Sequence, residues 1–203
     1  MKFTLAFAAL VLLAGCSAGP TSRDTPAAYD FGLQREQAGG TKTIRGSVLL
    51  PGVTAPAWLD TPGVVYRLAY QDAARPQFYT GSRWATAPAA LLTQRLRSRL
   101  AAASEGGVIG AGSGARADYT LQIELEEFSQ VFDAAASSRG VVVARASLVS
   151  NAKRVLVAQR SFSIERAAAS ADAEGGVRAL TAAGGELIDA IVAWTATAAQ
   201  ASK

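Results

Sequence analysis

The clearest signal in the chain is a two-residue alternation in its second half. Tyr119, Leu121, Ile123 and Leu125 alternate with Thr120, Gln122, Glu124 and Glu126, the period that sends one set of side chains to a core face and the other to water. Val142, Ala144, Ala146 and Leu148 repeat it, and so do Leu156, Ala158, Phe162 and Ile164, with Arg160 the odd member. Ala134 to Gly140 is a loop and Asn151 to Arg154 a short turn, so the three strands read as an antiparallel meander. At Glu127-Phe128 the first alternation slips by one position, which marks a β-bulge. Upstream, Val64, Tyr66, Leu68 and Tyr70 alternate with Val65, Arg67 and Ala69. Tyr29 to Leu33 and Ile44 to Leu50 have weaker strand character, the second ended by Pro51-Gly52. The turn-like QDAARPQ then leads to Phe78, Tyr79 and Trp84, which surround Gly81 and Arg83.

Two segments change period. Thr86-Ala87-Pro88 reads as a helix start, and Leu92, Leu96 and Leu100, flanked by Ala89 and Ala103, form an apolar stripe with Arg95, Arg97 and Arg99 off it on a solvated face. From about Asp172 to Ala198 a longer helix carries Val177, Leu180, Gly184, Leu187, Ile191, Trp194 and Ala198 at spacings of three and four. Gly184-Gly185 weakens it by about 1 kcal/mol per glycine, so close packing is the expected compensation. The helix is expected to cover the sheet, and part of its seam is a candidate oligomer contact. The pattern predicts an α+β fold, an antiparallel sheet of about five strands with two helices packed on one face. The element order is strand-strand-strand-helix-strand-strand-strand-helix.

The amino terminus is of another kind. Lys2 precedes an uncharged apolar run from Phe3 to Leu13, closed by Ala14 and Gly15, the make-up of an export signal. The run is shorter than the roughly 20 residues that span a bilayer. Leu13-Ala14-Gly15-Cys16 resembles the lipobox of bacterial lipoproteins, which implies a signal peptide over 1–15 and a lipid on Cys16. More than one acyl chain makes a lasting anchor. Residues 16–28 read as lipidated terminus and linker, and 29–203 as a single domain. Ser17, where an aspartate would signal inner-membrane retention, points by the same resemblance to the periplasmic face of the outer membrane.

Composition narrows the chemistry. Cys16 is the sole cysteine and histidine is absent, which removes disulfides, Cys/His zinc sites, thiol nucleophiles and every triad with an imidazole base. Loss of Lys2 leaves nineteen basic residues against sixteen acidic, a spread-out excess of three without the basic clustering of a nucleic-acid footprint. Gly110, Gly112 and Ala115 have GxGxxA spacing, but the segment follows a helix and runs into a strand, the reverse of a phosphate-cradling loop. Glu124 and Glu126 share a polar strand face with no opposed carboxylate, so with Glu127 they read as a solvent face rather than a glycosidase pair. No catalytic residue, metal ligand or cofactor site emerges.

The run from Pro56 to Leu100 resembles the core of the ABC-type transport auxiliary lipoprotein family, which includes the PqiC-like lipoproteins. Trp58, Leu59, Asp60 and Pro62, then Tyr66-Arg67, then Arg83-Trp84 before a helix with leucines four apart, sit on the family's motif positions; Thr61, Gly63 and the glycine-rich insert before Tyr119 depart from it. The resemblance implies a non-catalytic lipoprotein that meets a periplasm-bridging MCE-domain protein and, through it, an ABC permease and ATPase in lipid transport. It makes Trp58, Leu59, Asp60, Arg67, Arg83 and Trp84 candidates for the partner surface. Bland alternatives stand beside it: Asp60 and Arg67 pair to fix a turn, and Trp84 plugs the core. A different role for the same tethered domain is assembly or plugging of an outer-membrane β-barrel.

Overall fold

A computed structural model describes residues 25–33 and 43–201; the expected signal peptide, Cys16 and most of the linker lie outside them. In chain order the elements are β1 (Ala27–Tyr29), β2 (Val48–Leu50), β3 (Val53–Thr54), β4 (Gly63–Leu68), α1 (Ala69–Asp72) and β5 (Ala73–Trp84), followed by α2 (Pro88–Ala103), β6 (Val108–Gly110), β7 (Tyr119–Ala134), β8 (Ser137–Ser150), β9 (Val155–Ala167) and α3 (Ala173–Ala201).

The sixteen-residue β7 is the spine. Along one edge it pairs antiparallel with β8, which pairs antiparallel with β9, so the meander forms as the alternation predicts, with a register shift between Leu125 and Glu127. The expected loop from Ala134 to Gly140 is corrected to a tight turn, since Ser137 to Gly140 already pair with β7. Along the other edge three short strands follow one another, all parallel to it: β2 at Tyr119 and Thr120, β3 at Ile123 and Glu124, β4 from Ser129 to Phe132. β5 returns antiparallel on β4, β1 adds in parallel to the end of β5, and β6 in parallel to β2.

The expected five-stranded antiparallel sheet with two helices is therefore corrected to a mixed sheet of nine strands, most of its pairings parallel, with three helices among the described residues. Parallel partners lie far apart in sequence and need long crossovers, so no local turn announces them, and strands of two or three residues are too short to display a period. The segment read as a turn, QDAARPQ, holds the end of α1 and the start of β5, and α1 takes Ala69 and Tyr70 out of the strand the alternation predicts. Pro76 does not break that strand because β1 covers only Ser82 to Trp84, leaving an edge position where proline is tolerated.

One face of the sheet is covered by α3, which packs on β7, β8 and β9, while α2 lies against α3 and the short strands. Leu92, Leu96 and Leu100 are buried as their spacing requires. Thr93 Oγ1 accepts from Val53 N at 2.8 Å, and Arg99 bridges α2 to Asp189 of α3. Close approach is made at glycines: a Cβ on Gly184 would meet Phe31 and Phe128, and one on Gly140 would stand 2.8 Å from the α3 backbone at Ala179. The start of α3 is capped by Asp172, whose Oδ1 accepts from Gly175 N at 2.8 Å. That bond, then the Ser170 hydroxyl, holds its carboxyl below the usual carboxylate range.

Beneath this helix start lies a polar chain inside the core. Tyr79 Oη donates to Gln130 Oε1 at 2.9 Å, and Gln130 Nε2 donates to Ser138 Oγ at 2.8 Å. Gln130 is fully buried, so these bonds supply the partners its amide loses on leaving water. Burial, then the neighbouring Tyr66 and Asp172, pushes the Tyr79 phenol up to about 12.

Candidate partner-binding surface

Residues paired across a ladder share a face. Val65 pairs with Phe78 and Ser129, and Arg67 with Pro76 and Val131. Tyr66 and Gln130, on the alternate positions, belong to the helix side, since Gln130 lies against Gly176 of α3. Arg67, Phe78 and Glu127 therefore stand on the face opposite the helices.

Arg67 is the centre of that face. Its Nη2 lies 3.0 Å from Glu127 Oε2, its Nε donates to the same oxygen at 3.1 Å, and its Nη1 donates to Ala73 O at 3.2 Å. The guanidinium carbon is 5.0 Å from the centroid of the Trp58 ring, within cation–π range. Side-chain exposures of 15% for Arg67 and 21% for Glu127 make this a mostly desolvated pair, in which the fixed fork of arginine matters more than on an open surface.

Trp58 reaches this position because its loop is folded on itself and nailed at both ends. Leu59 N and Asp60 N both donate to Pro56 O, at 2.8 and 3.0 Å, and Trp84 N donates to Pro62 O at 2.7 Å. Leu59, 1% exposed, enters the core, while Trp58 stays half-buried and Asp60 exposed. Gly63 belongs to the same construction, since a Cβ there would stand 2.5 Å from Phe78 Cδ1; the bare backbone gives the Phe78 ring its seat, leaving it 46% exposed.

The candidates divide. Trp58 and Arg67 are brought together, Arg83 pairs with Gly63 and is exposed, and Asp60 is exposed without an ion pair among the described residues. The suggested Asp60–Arg67 pair does not form: the carboxylate partner of Arg67 is Glu127. Leu59 and Trp84 spend their side chains on the core; Trp84 is fully buried between Phe31, at 5.8 Å, and Phe128, at 5.5 Å. Glu127 joins the cluster though the sequence groups it with Glu124 and Glu126. The bulge at its position was the available signal, since it separates Glu127 from the two glutamates that pair with Arg145. The assembly is a shaped aromatic-cationic surface. Among the described residues no three His, Cys, Asp or Glu side chains gather where they can hold a metal ion.

The family model described as ABC-type transport auxiliary lipoprotein component matches residues 29–192. The crystal structure of a Xanthomonas campestris protein of the DUF330 family is similar in fold, with a TM-score of 0.72 and 19% identity, covering 86% of this chain and 97% of that one. The crystal structure of an uncharacterized protein gives a TM-score of 0.61 at 18% identity, covering 83% and 97%. A hypothetical protein from Chlamydia trachomatis gives 0.51 at 14%, covering 76% and 98%. At such identities the likeness is one of fold alone. No curated protein matches the chain.

Proposed function

Because the chain belongs to the family of ABC-type transport auxiliary lipoprotein components, we propose that it is a non-catalytic docking subunit of an intermembrane lipid transport system. Its family consists of lipoproteins, which places it on an envelope membrane. In this proposal the lipid on Cys16 holds it to the periplasmic face of the outer membrane. There it receives a periplasmic MCE-domain protein and, through that protein, an ABC permease and ATPase.

The observation that carries this reading is the Trp58–Arg67–Glu127 stack on the face away from the helices. A half-buried tryptophan over a fixed guanidinium is the kind of rigid anchor that concentrates binding energy at protein interfaces. Phe78 and Arg83 extend the surface around it. The test is capture of the MCE-domain protein by the full-length chain. Trp58→Ala with Arg83→Ala should lower affinity by about tenfold or more while circular dichroism stays that of the parent. Undiminished capture would reject this surface, and no capture by the parent chain would reject the partner.

A further inference from the structure

The end of the sheet where β7 begins is a basic tip. Asp118 Oδ2 accepts from Ser47 N and from Ser47 Oγ, both at 2.7 Å. Asn151 Nδ2 donates to Ala117 O at 2.8 Å, and Asn151 N to Asp118 O at 2.9 Å. These bonds draw three loops to one place, those before β2, before β7 and between β8 and β9. Arg45, Arg116, Lys153 and Arg154 all lie on them and all are exposed. Asp118, the acid among them, is turned onto Ser47. Next to Arg154, Val155 and Leu156 are 50% and 56% exposed.

The opposite end differs. There Arg139, Arg166 and Arg178 are each held by a carboxylate. At the tip no ion pair reaches Arg45, Arg116 or Arg154 among the described residues.

We propose that this tip rests on an anionic phospholipid leaflet, with Arg45, Arg116 and Arg154 on headgroup phosphates and Val155 and Leu156 at the boundary with the acyl chains. Three arginines without an ion pair among the described residues, Arg45, Arg116 and Arg154, beside exposed aliphatic side chains match a surface that stacks phosphate over hydrocarbon. This placement requires the tether to be drawn out fully. Thr25 lies nine residues from Cys16, a reach of up to about 30 Å. β1 runs antiparallel to β7 and begins, through Ser82 and β4, near the level of Phe128, roughly 30 Å along β7 from Tyr119 at ~3.3 Å per residue. The arrangement then lifts Arg67, which pairs with Val131, about 40 Å from the leaflet, clear for a partner arriving from the periplasm. From the family reading the proposal takes only the lipid tether, and it stands whether or not an MCE-domain protein binds.

The test uses the full-length lipidated chain. Acylated Cys16 has no free thiol and the chain has no other cysteine, so Leu156→Cys offers one site for an environment-sensitive fluorophore. Ala135→Cys, in the exposed turn at the far end, is the control. On vesicles of phosphatidylethanolamine and phosphatidylglycerol the probe at 156 should shift its emission to shorter wavelength. The shift should be absent on phosphatidylcholine vesicles, fade with added salt, and be lost on Arg116→Glu with Arg154→Glu, while the probe at 135 reports water throughout. A probe at 156 that reports water on anionic vesicles, or the same signal on both vesicle types, overturns the proposal.

Discussion

A Cβ added to Gly176 would stand 2.5 Å from Gln130 Cδ, so the first turn of α3 lies on the buried amide with nothing between them. Gln130 is fully buried and bonded on both sides, to Tyr79 and Ser138; it cannot step aside without breaking a hydrogen bond.

Gly176→Ala should therefore destabilise the fold by about 1–3 kcal/mol, the usual cost of overpacking. Among the described residues nothing stands within 4 Å of where a Gly185 Cβ would go, and the position lies inside the same helix. Gly185→Ala should stabilise by up to about 1 kcal/mol through helix propensity. Urea unfolding of the two variants checks both signs.

The Tyr79 phenol, pushed up to about 12, sets a pH dependence. In the unfolded chain a tyrosine ionises near pH 10. Below that value both states are neutral and the contribution is fully present; as pH climbs from about 10 toward about 12 only the unfolded state ionises, so stability falls. Tyr79→Phe should flatten this part of the curve, which urea midpoints at rising alkaline pH will show. At neutral pH the same change leaves Gln130 Oε1 without its donor and should cost about 1 kcal/mol.

Trp84 separates a packing role from a partner role. Its ring is fully buried and, among the described residues, its Nε1 finds no hydrogen-bond partner. Trp84→Ala should cost about 3–5 kcal/mol. Trp84→Phe should cost distinctly less, because it removes an unsatisfied buried donor along with part of the ring. A Trp84→Phe chain that is folded by near-ultraviolet circular dichroism should leave capture of the proposed MCE-domain partner unchanged.

The elements divide by how local their cause is. In β7, β8 and β9 an alternation as long as Leu121, Ile123 and Leu125 against Gln122 and Glu124 is joined by short turns, so pattern and pairing are both local. Val53 and Thr54 have no such pattern; they form a strand because β7 offers an open edge at Ile123 and Glu124, a fact written some 70 residues away. The site follows the same rule. The motif residues around Trp58 and Arg67 stand out in the sequence, but only the tertiary fold decides that Trp58 faces outward over Arg67 while Trp84 turns inward onto Phe128. Glu127 was hidden among three glutamates because charge alone does not say which of them loses water.

Asp118 clamps the loops of the basic tip, and acid should open it. Its carboxylate is held below the usual range first by the bond from Ser47 N, then by the Ser47 hydroxyl. A carboxyl whose folded pKa is depressed lends stability above its unfolded value, near pH 4, and loses it as pH falls through the folded value. Asp118→Asn removes the charge and keeps one acceptor, so the loss of stability on acidification should shrink while the neutral-pH fold persists. Gly46 reinforces the clamp from the other side: at φ +93°, with a Cβ that would stand 2.7 Å from Asp118 Oδ2, it has neither the backbone freedom nor the room for a side chain. Gly46→Ala should therefore destabilise at every pH, and hydrogen exchange at the amides of Ser47 and Asn151 should rise in Gly46→Ala at neutral pH but in the parent only under acid. Equal exchange in the two chains at neutral pH would show that these loops are held together by something other than Asp118.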